Sequence, residues 1–186
     1  MKKITILLAY FFSLGCRNGD IDPYTNGVVI GASFNGKPWE NTALRSFYET
    51  YTCSKSLGLN ITVSNAQGFR RESLSIVKVP LREGNFLIKQ YIYNNIGCLP
   101  DSPDVYSTYN TLQDDGDVGK DRYSILESSR EINKLVISKY DGKSRYISGE
   151  FSATFLLKRN VDGTKNYFDS VDTIRITKAR FEASGF

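Results

Sequence analysis

The residue types that perform most enzyme chemistry are scarce in this 186-residue chain, which contains no histidine and only three cysteines. Histidine is the commonest general base and a frequent metal ligand at neutral pH, so triads and zinc sites that need it are excluded. G-x-S-x-G, P-loop and dinucleotide-binding patterns are also missing. Twenty acidic residues leave a carboxylate-based hydrolase as the remaining enzyme alternative, but their spacing selects no pair. We therefore expect no enzymatic activity and no cofactor.

The densest group of oxygen ligands lies in residues 113–121 and consists of Asp114, Asp115, Asp117 and Asp121. Calcium binds about six to eight oxygens, and a glycine-containing turn helps a chain to wrap around it. The spacing D-D-G-D-x-x-x-D nevertheless differs from the D-x-[DN]-x-[DN]-G calcium loop. We interpret the cluster as a solvated acidic loop and expect no metal site.

Aromatic side chains are a second kind of candidate contact residue and make up 13% of the chain. Sugar-binding modules stack planar rings on sugar faces, and Trp39, Tyr106 and Tyr109 are the candidates for such a ligand contact. Residues 97–121 are interpreted as a long loop with one short strand near residues 106–112, which favours a surface role for the two tyrosines. The alternative for all three rings is packing between neighbouring strands.

Cys16 ends an apolar run, residues 4–15, that follows Lys2 and Lys3. The run has the length of a signal-peptide core and is shorter than the roughly 20 residues that a membrane-spanning helix needs. Gly15-Cys16 resembles the bacterial lipobox, in which a peptidase cuts before a cysteine that receives lipid on its sulfur, although Ser13 stands where leucine is usual. We expect residues 1–15 to be a lipoprotein signal peptide and Cys16 to carry palmitate. An ordinary secretion signal and a retained anchor are the alternatives.

Residues 16–27 contain Gly, Asn, Asp and Pro without apolar periodicity, so we interpret them as a tether. Residues 28–186 are long enough for a single all-β domain with a hydrophobic core. Acyl chains on Cys16 would attach this domain to membrane lipid. We expect an outer-membrane, lipid-anchored protein on either the periplasmic or the cell-surface face. Nucleic acid is not an expected partner, because the net charge of +4 falls to +2 without Lys2 and Lys3.

Cys53 and Cys98 remain as an even pair if Cys16 carries lipid, and such a pair in an oxidising compartment predicts a disulfide bond. The bridge would close a loop of about 45 residues and stabilise the fold by about 4 kcal/mol. Two buried free thiols are the alternative. A catalytic cysteine is not expected, because the chain has no histidine to serve as its base.

The pattern that must position these residues is strands and turns, since period-2 alternation recurs and helical periodicity is scarce. Asn35-Gly36 and Asp141-Gly142 are typical of tight hairpin turns. About ten short strands favour an antiparallel β-sandwich or a barrel-like sheet. At the C terminus, residues 172–177 and 180–183 are predicted as separate strands. Residues that share a parity and should face the core are Leu57, Leu59, Ile61 and Val63 in one strand and Ile147, Phe151, Ala153, Phe155 and Leu157 in another.

Three segments carry a resemblance to a known group of proteins: Phe34-Asn35-Gly36-Lys37-Pro38-Trp39, residues 132–155 (INKLVISKYDGKSRYISGEFSATF) and residues 174–181 (IRITKARF). Each resembles a motif of the small uncharacterised all-β lipoproteins common in Bacteroidota, with Ala179 in place of the usual turn glycine. The resemblance covers both ends of the mature chain and implies an all-β fold without a known activity.

The sequence therefore predicts a membrane-anchored lipoprotein of the bacterial envelope that acts as a binding module for a glycan or a protein. A structural component of an outer-membrane complex is the alternative. In either case the lipid would fix the position, and the strands would form a rigid frame for exposed contact residues.

Overall fold

The computed structural model of the chain describes residues 25–51, 54–91, 104–158 and 171–186. These residues form twelve β-strands and, within those ranges, no helix. The prediction of an all-β fold is therefore confirmed, with twelve strands in place of about ten. The strands are β1 (Gly27–Ile30), β2 (Ser33–Phe34), β3 (Lys37–Pro38), β4 (Thr42–Tyr51), β5 (Ser54–Ser64), β6 (Arg70–Val79), β7 (Gly84–Gln90), β8 (Val105–Gln113), β9 (Val118–Ile125), β10 (Lys134–Asp141), β11 (Tyr146–Leu157) and β12 (Thr173–Ser184).

Nine of the strands close into a barrel in the order β12-β1-β4-β5-β6-β8-β7-β10-β11, because β11 also pairs with β12. All neighbours in this ring are antiparallel except β7 and β8. Strand β9 pairs with both β8 and β11, and the β2–β3 hairpin is attached to β12. Closure gives most strands a partner on each side, which reduces the edge exposed to other chains. The barrel-like alternative of the sequence prediction is thus the observed one.

The barrel interior is filled by the apolar side chains that alternate along the strands. Leu57, Leu59 and Ile61 are at most 1% exposed, and Phe151 and Phe155 are equally buried, so the predicted core parity is confirmed. Because one barrel face looks inward and the other faces water, the period-2 pattern is the signal to expect. The buried cluster continues around the whole ring, from Leu44 in β4 to Ala183 in β12.

The two predicted hairpin turns are present and use different local chemistry. Asn35 and Gly36 have φ values of 49° and 81°, the left-handed pair that a tight two-residue turn requires. In the β10–β11 turn, the Asp141 carboxylate accepts hydrogen bonds from the backbone N–H of Lys143 at 2.9 Å and the Ser144 hydroxyl at 2.7 Å. These contacts fix the β10–β11 turn at the protein surface.

Two of the β-bulges in the described sheet each contain a lysine with positive φ. Lys78 in β6 (φ 57°) and Lys178 in β12 (φ 53°) lie where two residues oppose one on the neighbouring strand. The bulged N–H of Lys78 donates to Glu49 Oε2 at 2.9 Å, and that of Lys178 donates to Ser152 Oγ at 3.2 Å. Bulges increase strand bending, so β12 continues through Lys178. The prediction of separate strands at 172–177 and 180–183 is therefore wrong.

The prediction of a long loop at residues 97–121 is wrong for the described part of that segment. Residues 105–113 form β8, which confirms the expected short strand near 106–112, and residues 118–125 form β9. The acidic residues between them make a tight turn. Strand β9 was not predicted from the sequence, because its buried residue Asp121 is charged like its neighbours Lys120 and Arg122, so the apolar alternation typical of a strand is missing there.

Asn26 closes the seam of the barrel between β1 and β4, where the strands share a single residue pair, Gly27 with Leu44. The Asn26 side-chain N–H donates to Ser46 O at 2.8 Å, and its Oδ1 accepts from Ser46 N–H at 2.7 Å. Its backbone N–H donates to Leu44 O at 3.2 Å. The amide therefore imitates a backbone group and extends the β ladder.

The turns between the strands define two ends of the barrel, which we call the near end and the far end. The near end is the one where the described chain begins at Thr25, and it also holds residues 80–83, 142–145 and the C-terminal residues 185–186. The far end holds the turns at 65–69 and 114–117 and the β2–β3 hairpin.

Candidate interaction surface

The far end is occupied by an aromatic cluster that includes two of the three predicted contact rings. The ring of Phe34 lies 6.2 Å from that of Trp39 and 6.0 Å from that of Tyr109. Tyr109 also contacts Tyr123 and Phe155 at ring distances of 5.6 and 5.7 Å. Ring pairs at these separations are ordinary stabilising contacts of a core. The cluster thus fills this end of the barrel.

Trp39, Tyr106 and Tyr109 are 8%, 8% and 0% exposed, so they offer almost no ring surface to a ligand. The expected surface position of Tyr106 and Tyr109 is wrong, because both rings are buried. The two residues have opposite parity in β8, so Tyr109 belongs to the core cluster, whereas Tyr106 lies on the other face of the strand and outside that cluster. Tyr106 instead lies under the Lys78 ammonium, 5.5 Å from its ring centre. All three rings take the packing role that the sequence left as the alternative.

Glu72 in β6 is the carboxylate nearest to the far-end cluster. The Trp39 Nε1–H donates to Glu72 Oε2 at 3.0 Å. Burial, together with the nearby Glu72 carboxylate, raises the pKa of Tyr109 far above its ordinary value. The tyrosine hydroxyl is therefore neutral near pH 7, which suits a structural role.

The four predicted oxygen ligands of the acidic segment are not gathered around one point. Asp114, Asp115 and Asp117 are exposed in the β8–β9 turn, whereas Asp121 is 4% exposed in β9 and pairs with Thr111. Across the described ranges, no group of three or more acidic or cysteine side chains could hold a metal ion. Cys16, Cys53 and Cys98 lie outside the described residues, so lipidation and the disulfide remain predictions.

The near end is rich in exposed cations that the sequence reading did not single out. Lys139, Lys143 and Arg145 stand on the β10–β11 hairpin, and Lys55 and Arg82 stand on neighbouring strands and turns of the same end. The exposed carboxylates nearby are Glu83 and Glu182. Asp141 is a half-buried carboxylate among these cations, and it stays ionised because hydrogen bonds from the Ser144 hydroxyl and the Lys143 N–H lower its pKa. We call this set of five cations the basic rim.

Two cations of the basic rim lie over aromatic rings. The Arg145 guanidinium lies 5.9 Å from the Tyr48 ring centre, and the Lys139 ammonium lies 5.4 Å from that of Tyr146. Tyr48 is 38% exposed and contacts the C-terminal Phe186 edge-on at 5.3 Å. Cations over aromatic faces contribute about 0.5–1 kcal/mol at exposed sites. The rim is therefore an ordered surface of cations and amphipathic rings.

The far end carries exposed charges of both signs. Its exposed carboxylates belong to Glu40, Asp114, Asp115, Asp117 and Asp172, and its exposed cations to Lys37, Arg70, Arg122, Lys158 and Arg175. Part of this charge is paired, since Arg70 lies 3.8 Å from Asp117. The near end differs in having three cations on one hairpin. The motif K-Y-D-G-K-S-R of residues 139–145 is the sequence signal for this grouping, because a hairpin brings its cations together.

A second exposed feature lies on the outer wall, where Ile132 and Leu87 are 69% and 64% exposed. Leu87 pairs with Lys134 across β7 and β10, and strand alternation places Ile132 on the same outer face. These are the most exposed large apolar side chains among the residues that the structure describes. We call Leu87 and Ile132 the wall patch.

Polar contacts hold the segment that carries Ile132 against β11 and β12. Glu131 accepts from the Thr154 hydroxyl at 2.7 Å and pairs with Arg175 at 2.8 Å. The Asn133 Oδ1 accepts from Thr154 N–H at 2.8 Å. The hydrogen bond from Arg175, followed by the one from Thr154, lowers the pKa of Glu131. Ile132 is thus presented to solvent from a firmly bonded segment.

A shallow groove of about 350 Å³ lies between Thr25, Val28, Tyr146 and Glu182 at the near end. It is open to solvent, and its lining offers a single carboxylate, that of Glu182, so it has no set of groups for acid–base chemistry.

No family model, curated protein or solved structure matches this chain. The described part of the chain contains no helix with the length and apolar character needed to cross a membrane. Function must therefore be argued from the barrel and its surface.

Proposed function

We propose that this chain is a lipid-anchored protein of the bacterial envelope that works by surface contact with a protein partner. The observation that supports this most strongly is the filled barrel. A ligand-carrying barrel needs an open interior, whereas here the inward side chains form one buried cluster from β4 to β12. Contacts with other molecules must then be made by the outer wall and the ends.

The position of the chain start supports the anchoring half of the proposal. The predicted lipid site, Cys16, precedes Thr25, the first described residue, by nine positions. At about 3.3–3.6 Å per residue, nine residues reach roughly 30 Å at most. A lipid on Cys16 would therefore keep the barrel within that distance of the bilayer.

The wall patch supports contact with a protein in preference to a glycan. Glycan binding would favour open aromatic faces, and the three rings predicted for it are buried. Leu87 and Ile132 are instead exposed aliphatic groups on a rigid wall, with Lys134 beside them. Exposed apolar groups framed by polar residues are typical of protein contact sites.

The anchoring half is tested by labelled palmitate in the native host. Wild-type protein should incorporate the label and sediment with membranes, whereas Cys16→Ser should do neither. Unlabelled wild-type protein in the soluble fraction would contradict anchoring.

The contact half is tested by a photoreactive benzoylphenylalanine placed at position 87 in living cells, with position 118 as the matched control, because Val118 is another exposed apolar residue. We expect one adduct at position 87, identified by mass spectrometry as an envelope protein and lost when Ile132→Glu is added. Equal adducts at both positions, no adduct at position 87, or a glycan adduct there would contradict the proposal.

A further inference from the structure

The basic rim and Thr25, the first described residue, occupy the same end of the barrel. Thr25 and Asn26 lie beside the C-terminal residues at the near end, because Asn26 O accepts from Ser184 N–H at 2.9 Å. The β10–β11 hairpin reaches this point too, since Gly185 N–H donates to Arg145 O at 2.9 Å. An anchor attached before Thr25 would therefore leave the protein next to the cations of the hairpin.

The chemistry of the rim fits the surface of an anionic bilayer. Lysine and arginine near such a surface each contribute about 1 kcal/mol, and tyrosines prefer the headgroup level, where the ring is apolar and the hydroxyl is wet. The rim presents both kinds of side chain together, as Lys139 over Tyr146 and Arg145 over Tyr48. At the far end, carboxylates lie among the cations, as Asp117 does beside Arg70, and would oppose contact with the same surface.

From this arrangement we infer that the near end rests on anionic phospholipid headgroups of the bilayer that holds the anchor, with the basic rim as the contact surface. This inference rests on the proposed anchoring and adds an orientation to it. The barrel stands with its far end directed away from the membrane, and the wall patch remains open at the side.

The test uses the chain from residue 16 with Cys16→Ser, so that neither the apolar run nor a lipid can bind a membrane. All twelve described strands lie between Gly27 and Ser184, so this chain contains the whole described barrel. It is sedimented with vesicles of phosphatidylcholine that contain about one third phosphatidylglycerol, and with vesicles of phosphatidylcholine alone. We expect binding to the anionic vesicles only, and its loss when salt shortens the Debye length from about 10 Å to about 3 Å.

The decisive comparison is between two triple variants of equal charge change. Lys139→Gln, Lys143→Gln and Arg145→Gln together should weaken binding to anionic vesicles by on the order of a hundredfold, at about fivefold per cation. Lys37→Gln, Arg70→Gln and Lys158→Gln at the far end should change it less than about twofold. Lys143→Gln alone, on an exposed turn, should cost about fivefold and serves if the near-end triple variant fails to fold.

Equal losses from both triple variants, or no binding to anionic vesicles, would overturn the inferred orientation. Either result would leave the anchoring proposal intact, because palmitate labelling tests that separately. Conversely, vesicle binding without palmitate labelling in the host would support the rim while contradicting the anchor.

Discussion

The two ends of this barrel place their tyrosines differently. At the far end, Trp39 and Tyr109 are buried against Phe34, and the Trp39 N–H donates to Glu72. At the near end, Tyr48 lies 38% exposed beneath the guanidinium of Arg145. The far end has an exposed ring as well, since Phe69 is 44% exposed with the Arg71 guanidinium 5.9 Å from its centre. Aromatic content alone therefore says little about binding until each ring is placed.

The largest expected effect separates Tyr109 from Tyr48. Tyr109→Ala should lower the free energy of unfolding by about 3–5 kcal/mol, because it opens a cavity among buried rings. Tyr48→Ala should cost less than about 1.5 kcal/mol, because the ring is partly in water already. Urea unfolding of both variants measures the difference. Similar costs would show that the near-end ring is also part of the core.

A smaller effect is expected at the seam of the barrel. Asn26→Ala removes the amide that bonds to Ser46 and should cost about 1–3 kcal/mol, because the backbone of Ser46 is left with buried unpaired groups. Asn65→Ala is the matched control at the far end, where the Asn65 side chain accepts from Gln67 and Phe69 N–H groups in an exposed turn. That control should cost less than about 1 kcal/mol. A neutral Asn26→Ala variant would mean that the seam closes without the amide.

The smallest expected effect is the pH dependence contributed by Asp141 at the near end. Its pKa is lower in the folded state than in the unfolded state, owing first to the Ser144 hydroxyl and then to the N–H of Lys143. The stabilisation is therefore present above the unfolded pKa of about 4 and is lost as the pH falls through the folded pKa.

Asp141→Asn should slightly reduce the loss of unfolding free energy as the pH falls below about 4. Above pH ~6 the unfolding free energy should vary with pH as it does in the wild-type protein. An identical loss at low pH in the Asp141→Asn and wild-type proteins would contradict the role given to this turn.

The sequence predicted the wall of the barrel better than its ends. Alternation identified the inward residues of β5 and β11, because burial on one face of a strand enforces period 2. Asn35-Gly36 was identified because few other pairs adopt so tight a turn. Asp141-Gly142 marked the second hairpin correctly, although the four residues 142–145 connect its strands. Strand β9 was missed, since its inward Asp121 reads as part of an acidic loop.

The candidate site was harder to predict, because it depends on which strands become neighbours. The cations of residues 139–145 are close in the sequence, but their position next to the chain start follows from the pairing of β11 with β12 and of β12 with β1. The burial of Tyr109 depends on the β2–β3 hairpin, which lies about 70 residues away in sequence. Neither pairing can be read from local periodicity.

The central claim is that the near end faces the membrane and the far end faces away, and the single tryptophan of the chain allows a direct measurement. Trp39 lies at the far end, so its fluorescence in the lipidated protein reconstituted into bilayers should not be quenched by phospholipids brominated close to the headgroup. A variant that combines Trp39→Phe with Tyr48→Trp moves the fluorophore to the near end, and its emission should be quenched by the same lipids. Quenching of Trp39 together with unquenched emission from position 48 would contradict the account.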